Sequence, residues 1–376
     1  MKKIFSIEEA KEAKKVIETW PGYGVTPLRS LDILASEISV KKVFYKDEAS
    51  RFGLGSFKAL GGAYAVYSSL IDHIYEKTGQ RITLSQLSEE KFQNIAKDFV
   101  VACATAGNHG RSVAWGAELF GCPCYIYLHS GVGKGRADAI ARYGAEIVRV
   151  DGNYDASVKQ AAIDAEKNNW TIISDTSYPG YMDIPRKVVN GYTVMFDEII
   201  EQLKGTVPTH VFLQAGVGGL ASAACAYFWE LWQENRPDFV IVEPEKADCL
   251  FQSARAGKMV SVDGDLETHM LGLACGEPSH LAWDVLSQAG DYFMTIEDKI
   301  IFDEIRNLAN NRWGSEKIIA GESAVAGLSG LLELCNVDKL KHEISIDENS
   351  VILLFGTEGA TDPEIYHKII YENYNG

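Results

Sequence analysis

Lys58 is the side chain with the most evident chemistry. It lies in RFGLGSFKALGGAYAVY, residues 51–67, behind Phe57 and between glycines. Partial desolvation of such an amine is expected to lower its pKa and make it a nucleophile toward carbonyl carbon, the chemistry of a Schiff base. The plainer alternative is a solvated lysine at a helix start. Three other segments offer matching groups. In QAGVGGLA, 214–221, Gly216, Gly218 and Gly219 allow close backbone approach around Val217. With the N–H groups and dipole of a following helix they make a phosphate seat without Lys or Arg. A tight turn that packs helix on sheet is the other reading. No Gly-Lys-Ser/Thr follows, so this is no Walker loop, and the spaced glycines of a dinucleotide site are missing. In TAGNHGRSVAWGA, 105–117, the loop Thr105-Ala106-Gly107-Asn108-His109-Gly110 joins a strand to a helix. Asn108 either caps that helix or bonds a ligand oxygen, while neighbouring N–H groups hold a carboxylate. His109 is a candidate base or a structural donor. In FGTEGATDPE, 355–364, Thr357 is either a neutral partner for a ring nitrogen or an ordinary turn residue.

Strand ends must carry these loops. VVACAT (100–105), CPCYIYL (122–128), AEIVRV (145–150), TIISD (171–175), HVFLQ (210–214), FVIVEP (239–244) and VILLFGT (351–357) are short apolar runs. Helix-length segments alternate with most of them, which predicts βαβ units and parallel sheets. Ligands bind outside the carboxyl ends of such strands. The polar stretch 77–92 reads as an exposed insertion or linker. A small α/β domain over 95–180 is expected, inserted into a larger one built from 1–94 and 181–376.

A chain of 376 residues suits two domains. The net charge of −16 disfavours nucleic acid and anionic membranes. No stretch is long and apolar enough to span a bilayer, and the N-terminal segment does not read as a secretory signal. Seven scattered cysteines suggest a reducing cytoplasm rather than a disulfide scaffold. Cys122 and Cys124 read as core thiols, and no metal site is expected.

Taken in order, SFKALGG, TAGNHG, AGVGG and TEG resemble the fold type II enzymes that use pyridoxal 5′-phosphate, the group of tryptophan synthase β and threonine dehydratase. Within that group the stretches KDEASRFGLGSFKALGGAYA, DTSYPGYMDIPR, VEPEKADC, GLACGEPS, GESAVAGL and TEGATDPE are similar to the diaminopropionate ammonia-lyases, over most of the chain from about residue 20. The resemblance implies two open parallel-sheet domains with the active site between them. It implies a covalent bond from Lys58 to the cofactor aldehyde, with Phe57 beside the ring. Asn108 would meet the ring hydroxyl, Gly216 to Gly219 the phosphate, Thr357 the ring nitrogen, and Glu322 the cofactor edge. Thr105 to His109 would hold the substrate carboxylate. Asp175, in DTSYPGY, would be the acid–base group, acting at Cα, at Cβ or on the extra ammonium of the substrate.

The implied reaction is elimination of ammonia from 2,3-diaminopropionate, giving pyruvate and a second ammonia, in a cytoplasmic homodimer. The sequence departs from the family pattern at Ala106, where T-D-G-N-H-G has Asp. With one acid gone and Asp175 kept, the L-isomer is the expected substrate. A serine or threonine dehydratase, or a non-catalytic amino-acid-binding protein, are the alternatives. Cys249 and Cys275 fall in two of the matching stretches, as buried thiols or as a regulatory pair.

Overall fold

The computed structural model describes residues 5–105, 107–372 and 374–376, so Ala106 lies outside the described residues. Its strands in chain order are β1 (Leu28–Ser30), β2 (Lys42–Asp47), β3 (Val101–Cys103), β4 (Cys124–His129), β5 (Glu146–Val150), β6 (Thr171–Ile172), β7 (His210–Gln214), β8 (Asp238–Pro244), β9 (Tyr292–Ile296) and β10 (Val351–Gly356). Each apolar run picked out above forms a strand. β7 and β10 are buried at every position, as strands covered on both faces must be.

Two units result. The first holds residues 5–9, 22–57 and 195–376. Its six-stranded sheet has the order β1-β2-β10-β7-β8-β9, parallel except where β1 meets β2. Phe212, Val242, Ile352 and Leu354 from its central strands pack with Ile305, Leu328 and Leu331, all buried. Each such side chain contributes about 1.5–3 kcal/mol of transfer free energy. The second unit holds residues 10–21 and 58–194, with a four-stranded parallel sheet in the order β5-β4-β3-β6.

The division differs from the expected 95–180 because the helix Lys58–Thr78 packs on the helix Asn108–Phe120. Small residues bring them together: a Cβ on Gly116 would lie 2.7 Å from Ala63 Cα, and the Ala63 N–H donates to Ser112 Oγ at 3.0 Å. The stretch 77–92 is not a linker either. It contains the turn Leu84–Ser88 and the start of the helix Glu90–Asp98, and Ile82, Leu87 and Phe92 are buried. Three apolar anchors in a polar background escape a periodicity reading. β6 is shorter than TIISD suggests, although the Ile173 N–H still donates to Ala102 O at 2.8 Å. Cys122 and Cys124 are both buried thiols.

Candidate active site

The turn that leads into Lys58 is tightly specified. Gly53 and Gly55 adopt φ of 71° and 78°, and Phe52 also lies at positive φ, 50°. Left-handed backbone is costly for a non-glycine residue and needs surrounding support. Here that support is ionic. Arg51, 1% exposed, donates from Nη1 and Nη2 to both oxygens of Glu198, each at 2.7 Å, and from Nε and Nη2 to Glu48 at 2.8 Å. Lys46 Nζ adds a bond to Glu198 at 2.7 Å. Burial opposes charge on Arg51, but the two carboxylates outweigh it and hold the guanidinium more firmly protonated than usual. Two cations and two anions thus balance beneath the turn. Further on, Ser56 pairs with Glu358, and the Phe57 N–H donates to Thr357 O at 3.1 Å. Phe57 and Thr357, predicted to serve one ligand, are neighbours.

Lys58 opens its helix in the second unit. Its Nζ lies 2.5 Å from Asp175 Oδ2, with both side chains 22% exposed. The sequence led us to expect a depressed lysine pKa. The structure corrects this: burial does oppose the charge, but the Asp175 carboxylate outweighs it and holds the ammonium above its ordinary range. Asp175 in turn is held well below the usual carboxylate range; burial works against its charge, and Lys58 more than compensates. His109 is buried, with Nε2 3.1 Å from Ile173 O and Nδ1 3.8 Å from Asp175 Oδ2. Burial depresses its pKa, so the ring is neutral, donates to Ile173 O, and turns its Nδ1 lone pair toward Asp175. It is a structural donor set against the acid. Asn108 is the first helical residue; Gly107 is the N-cap, so Asn108 does not cap the helix. Thr105 Oγ1 accepts from the Gly107 N–H at 3.2 Å.

Two tyrosines missed by the sequence reading complete this cluster. The Tyr181 hydroxyl donates to Ile172 O at 2.8 Å and accepts from the Ser174 N–H at 3.0 Å, which pins the loop carrying Asp175. Tyr192, in the helix Asp183–Leu203, sets its ring centroid 5.8 Å from Lys58 Nζ. The aromatic in DTSYPGY was a readable signal for Tyr181. Nothing local marked Tyr192.

In the first unit, Gly216, Val217, Gly218 and Gly219 link β7 to the helix Gly219–Trp232. Gly218 has φ of 94°, and a Cβ there would lie 2.9 Å from Ala282 Cβ; one on Gly216 would lie 3.0 Å from Cys275 Sγ and 3.1 Å from Leu273 Cα. The φ at Gly218 favours glycine, and a side chain at Gly216 fits only if its neighbours give by a few tenths of an ångström. The helix start that follows presents N–H groups that the helix itself cannot pair, at the positive end of its dipole. Cys249 Sγ lies 3.8 Å from Gly216 O, so both cysteines flank the loop as free thiols. Burial, then Glu243, raises the Cys249 pKa, which keeps that thiol protonated and inert. Gln214, the last residue of β7, was also missed. Its Nε2 donates to Phe355 O at 2.6 Å and to Thr357 Oγ1 at 3.2 Å. Thr357, 4% exposed, therefore accepts from Gln214 and keeps its own O–H for another acceptor. Glu322 is half-buried on a turn beside Gly321 and Ser323, whose N–H groups donate to Glu358.

These residues suit one kind of cofactor. A glycine-rich loop at a helix start fits a phosphate, a buried neutral hydroxyl fits a pyridine nitrogen, and a lysine paired with a carboxylate fits an aldehyde. Fold and residues together define an enzyme of the pyridoxal-phosphate class.

Comparison with known proteins agrees. The model of the pyridoxal-phosphate dependent enzyme family matches residues 19–356, and the chain belongs to that family. Its relatives include the diaminopropionate ammonia-lyase of Escherichia coli K12, 38% identical over 98% of this chain and 93% of the relative. The Salmonella typhimurium LT2 enzyme of the same name is 38% identical over 93% of this chain and 89% of its own. The crystal structure of the Escherichia coli enzyme with an aminoacrylate-PLP azomethine reaction intermediate superimposes with a TM-score of 0.89, at 36% identity, over 99% of this chain and 94% of that one. Maize serine racemase shares the fold, with a TM-score of 0.77 at 20% identity over 98% of this chain and 97% of its own.

Proposed function

We propose that the chain eliminates ammonia from 2,3-diaminopropionate, with pyruvate and two ammonia as products once one water is taken up. The L-isomer is the preferred substrate. The observation that carries this reading is the Lys58–Asp175 pair, an amine able to bond a carbonyl with an acid–base group one hydrogen bond away. Pyridoxal phosphate, when bound, supplies the electron sink that stabilises negative charge at the substrate Cα.

The residues divide the remaining work. Lys58 holds the cofactor and gives it up to the substrate amine. The loop Gly216–Val217–Gly218–Gly219 binds the phosphate by backbone N–H groups. Thr357 would donate to the ring nitrogen of the bound cofactor; a neutral partner there would leave that nitrogen less than fully protonated, which suits elimination. Phe57 would lie beside the ring of the bound cofactor, Asn108 would meet its hydroxyl oxygen, and Glu322 would lie near its edge. Thr105, Ala106, Gly107 and His109 belong to the loop that takes the substrate carboxylate. Asp175 moves the protons: it takes one at Cα or delivers one to the departing β-amine, which leaves readily only when protonated. Ala106 cannot carry a proton, so the face it would serve lacks an acid. We further propose a cytoplasmic homodimer, a state that light scattering on the purified protein reads directly.

Pyruvate formation from L- and D-2,3-diaminopropionate, with L-serine and L-threonine as controls, tests the reading. Turnover of the L-diamine alone is expected. Equal turnover of both isomers would refute the role given to Ala106. Turnover of the hydroxy amino acids but neither diamine would make the protein a dehydratase.

A further inference from the structure

Gln214 has no part in the roles above, yet it closes β7 beside the glycine loop and is 1% exposed. A buried amide has to place both its nitrogen and its oxygen. Its Nε2 lies among four acceptors: Phe355 O at 2.6 Å, Thr357 Oγ1 at 3.2 Å, and the carbonyl oxygens of Ser323 and Ala324, each at 3.3 Å. Its Oε1 is buried without a hydrogen bond among the described residues, on the side of Gly327, where a Cβ would lie 3.2 Å from it. Turning the amide over would set oxygen against all four acceptors and leave each without this donor. The network therefore fixes the sense of the bond to Thr357: Gln214 donates and the threonine hydroxyl accepts.

That hydroxyl keeps one proton to give. Thr357 is 4% exposed, and among the described residues no acceptor takes the proton. A threonine can meet a ring nitrogen in two ways: it donates to a bare nitrogen, or it accepts from a protonated one. With Gln214 donating, the O–H cannot turn back to the amide. Accepting from a protonated nitrogen as well would leave the O–H buried with no acceptor, which is costly. We propose that Gln214 is a positioning residue that sets Thr357 to donate to the ring nitrogen of the bound cofactor, and so holds that nitrogen unprotonated. An apolar residue of similar size would continue the apolar run of β7 but leave the hydroxyl without a fixed sense. This inference rests on the reading of Thr357 as the partner of the ring nitrogen.

The test reads the nitrogen rather than turnover. Holoenzyme is reconstituted with pyridoxal phosphate carrying an isotope-labelled ring nitrogen. The NMR chemical shift of that nitrogen is followed with pH in wild type, Q214L, T357V and Q214L/T357V. The wild-type nitrogen is expected in the unprotonated range at neutral pH. Q214L should raise the protonated fraction about tenfold wherever that fraction is small, the worth of about one neutral hydrogen bond. In the T357V background the same change should do nothing further, because Gln214 acts through the threonine. A residue that only fills the strand end would leave the shift where it was. If T357V moves the signal and Q214L does not, the proposal is overturned and the reading of Thr357 stands. If T357V leaves the signal in place, that reading falls, and the proposal with it. Should Q214L not fold, neutron diffraction from wild-type holoenzyme crystals in heavy water decides. A Thr357 deuteron directed at the ring nitrogen supports the proposal, and one directed elsewhere overturns it.

Discussion

Removing Arg51 should destabilise the fold far more than any surface ion pair could explain. In R51M the methionine fills much of the same space, but Glu48 and Glu198, both 0% exposed, lose their main partner. Lys46 keeps its bond to Glu198 and makes none to Glu48. Breaking a buried pair from one side costs about 3–5 kcal/mol, because an uncompensated charge stays behind. With two carboxylates affected the upper half of that range applies, a large share of the roughly 5–15 kcal/mol of a typical native protein. Urea unfolding of the cofactor-free protein, followed by tryptophan fluorescence, measures it. The sign with pH is fixed too. The stranded carboxyls would have folded-state pKa values above their unfolded ones, so the variant's deficit grows as pH rises through that interval and shrinks in mild acid. R51M/E198Q should recover part of the loss, since charges in one network are not additive. A loss under about 1 kcal/mol at pH 8, or a deficit larger at pH 5 than at pH 8, would refute the ionic account of the turn.

The other perturbations act closer to the chemistry. G218A forces a side chain to φ of 94° against Ala282, at about 1–2 kcal/mol for the backbone alone, and should weaken cofactor binding about tenfold or more in a fluorescence titration. Unaltered affinity would remove the loop from the phosphate site. D175N should still capture cofactor on Lys58 but lose about 10²- to 10⁴-fold in kcat; a loss below about tenfold would place the proton transfer elsewhere. The same variant reports on stability. Because Asp175 is held below its ordinary range, its contribution is present above its unfolded pKa of about 4 and is lost as pH falls toward the folded value. The gap between wild type and D175N should therefore be widest near neutrality and close in acid. A106D should gain turnover of D-2,3-diaminopropionate, read as pyruvate, without losing the L-isomer.

Much of the scaffold could be read in advance because its signals are local. VILLF and HVFLQ are unbroken apolar runs, and a parallel strand covered on both faces demands that. AGVGG needs no partner to declare itself: one glycine lies at positive φ and one packs tightly against Leu273 and Cys275. Lys58 stood out because charge is rare among glycines and aromatics. What escaped depends on distance along the chain. Arg51 meets Glu198 across 147 residues, and Gln214 meets Thr357 across 143. A charged residue on the buried face of a helix, as Glu198 is, was the available hint. The domain boundary moved for the same reason, since Ala63 and Gly116 join helices that no periodicity connects.

The lysine itself shows most clearly why composition around a residue does not settle its chemistry. Its surroundings in sequence are apolar, and apolar burial alone would release the proton. In the folded protein a carboxylate 117 residues away reverses that sign. The cofactor-free protein therefore keeps Lys58 as an ammonium, protected from stray electrophiles, with its proton acceptor already in contact. Nucleophilicity then requires Lys58 to lose that proton, and we propose that Asp175 takes it. The same carboxyl proposed to serve the substrate is thus the one that arms the lysine, and D175N should slow covalent capture of the cofactor as well as the elimination. If capture by D175N proceeds at the wild-type rate, the proton leaves Lys58 by another route, and the paired carboxylate is a lock rather than a relay.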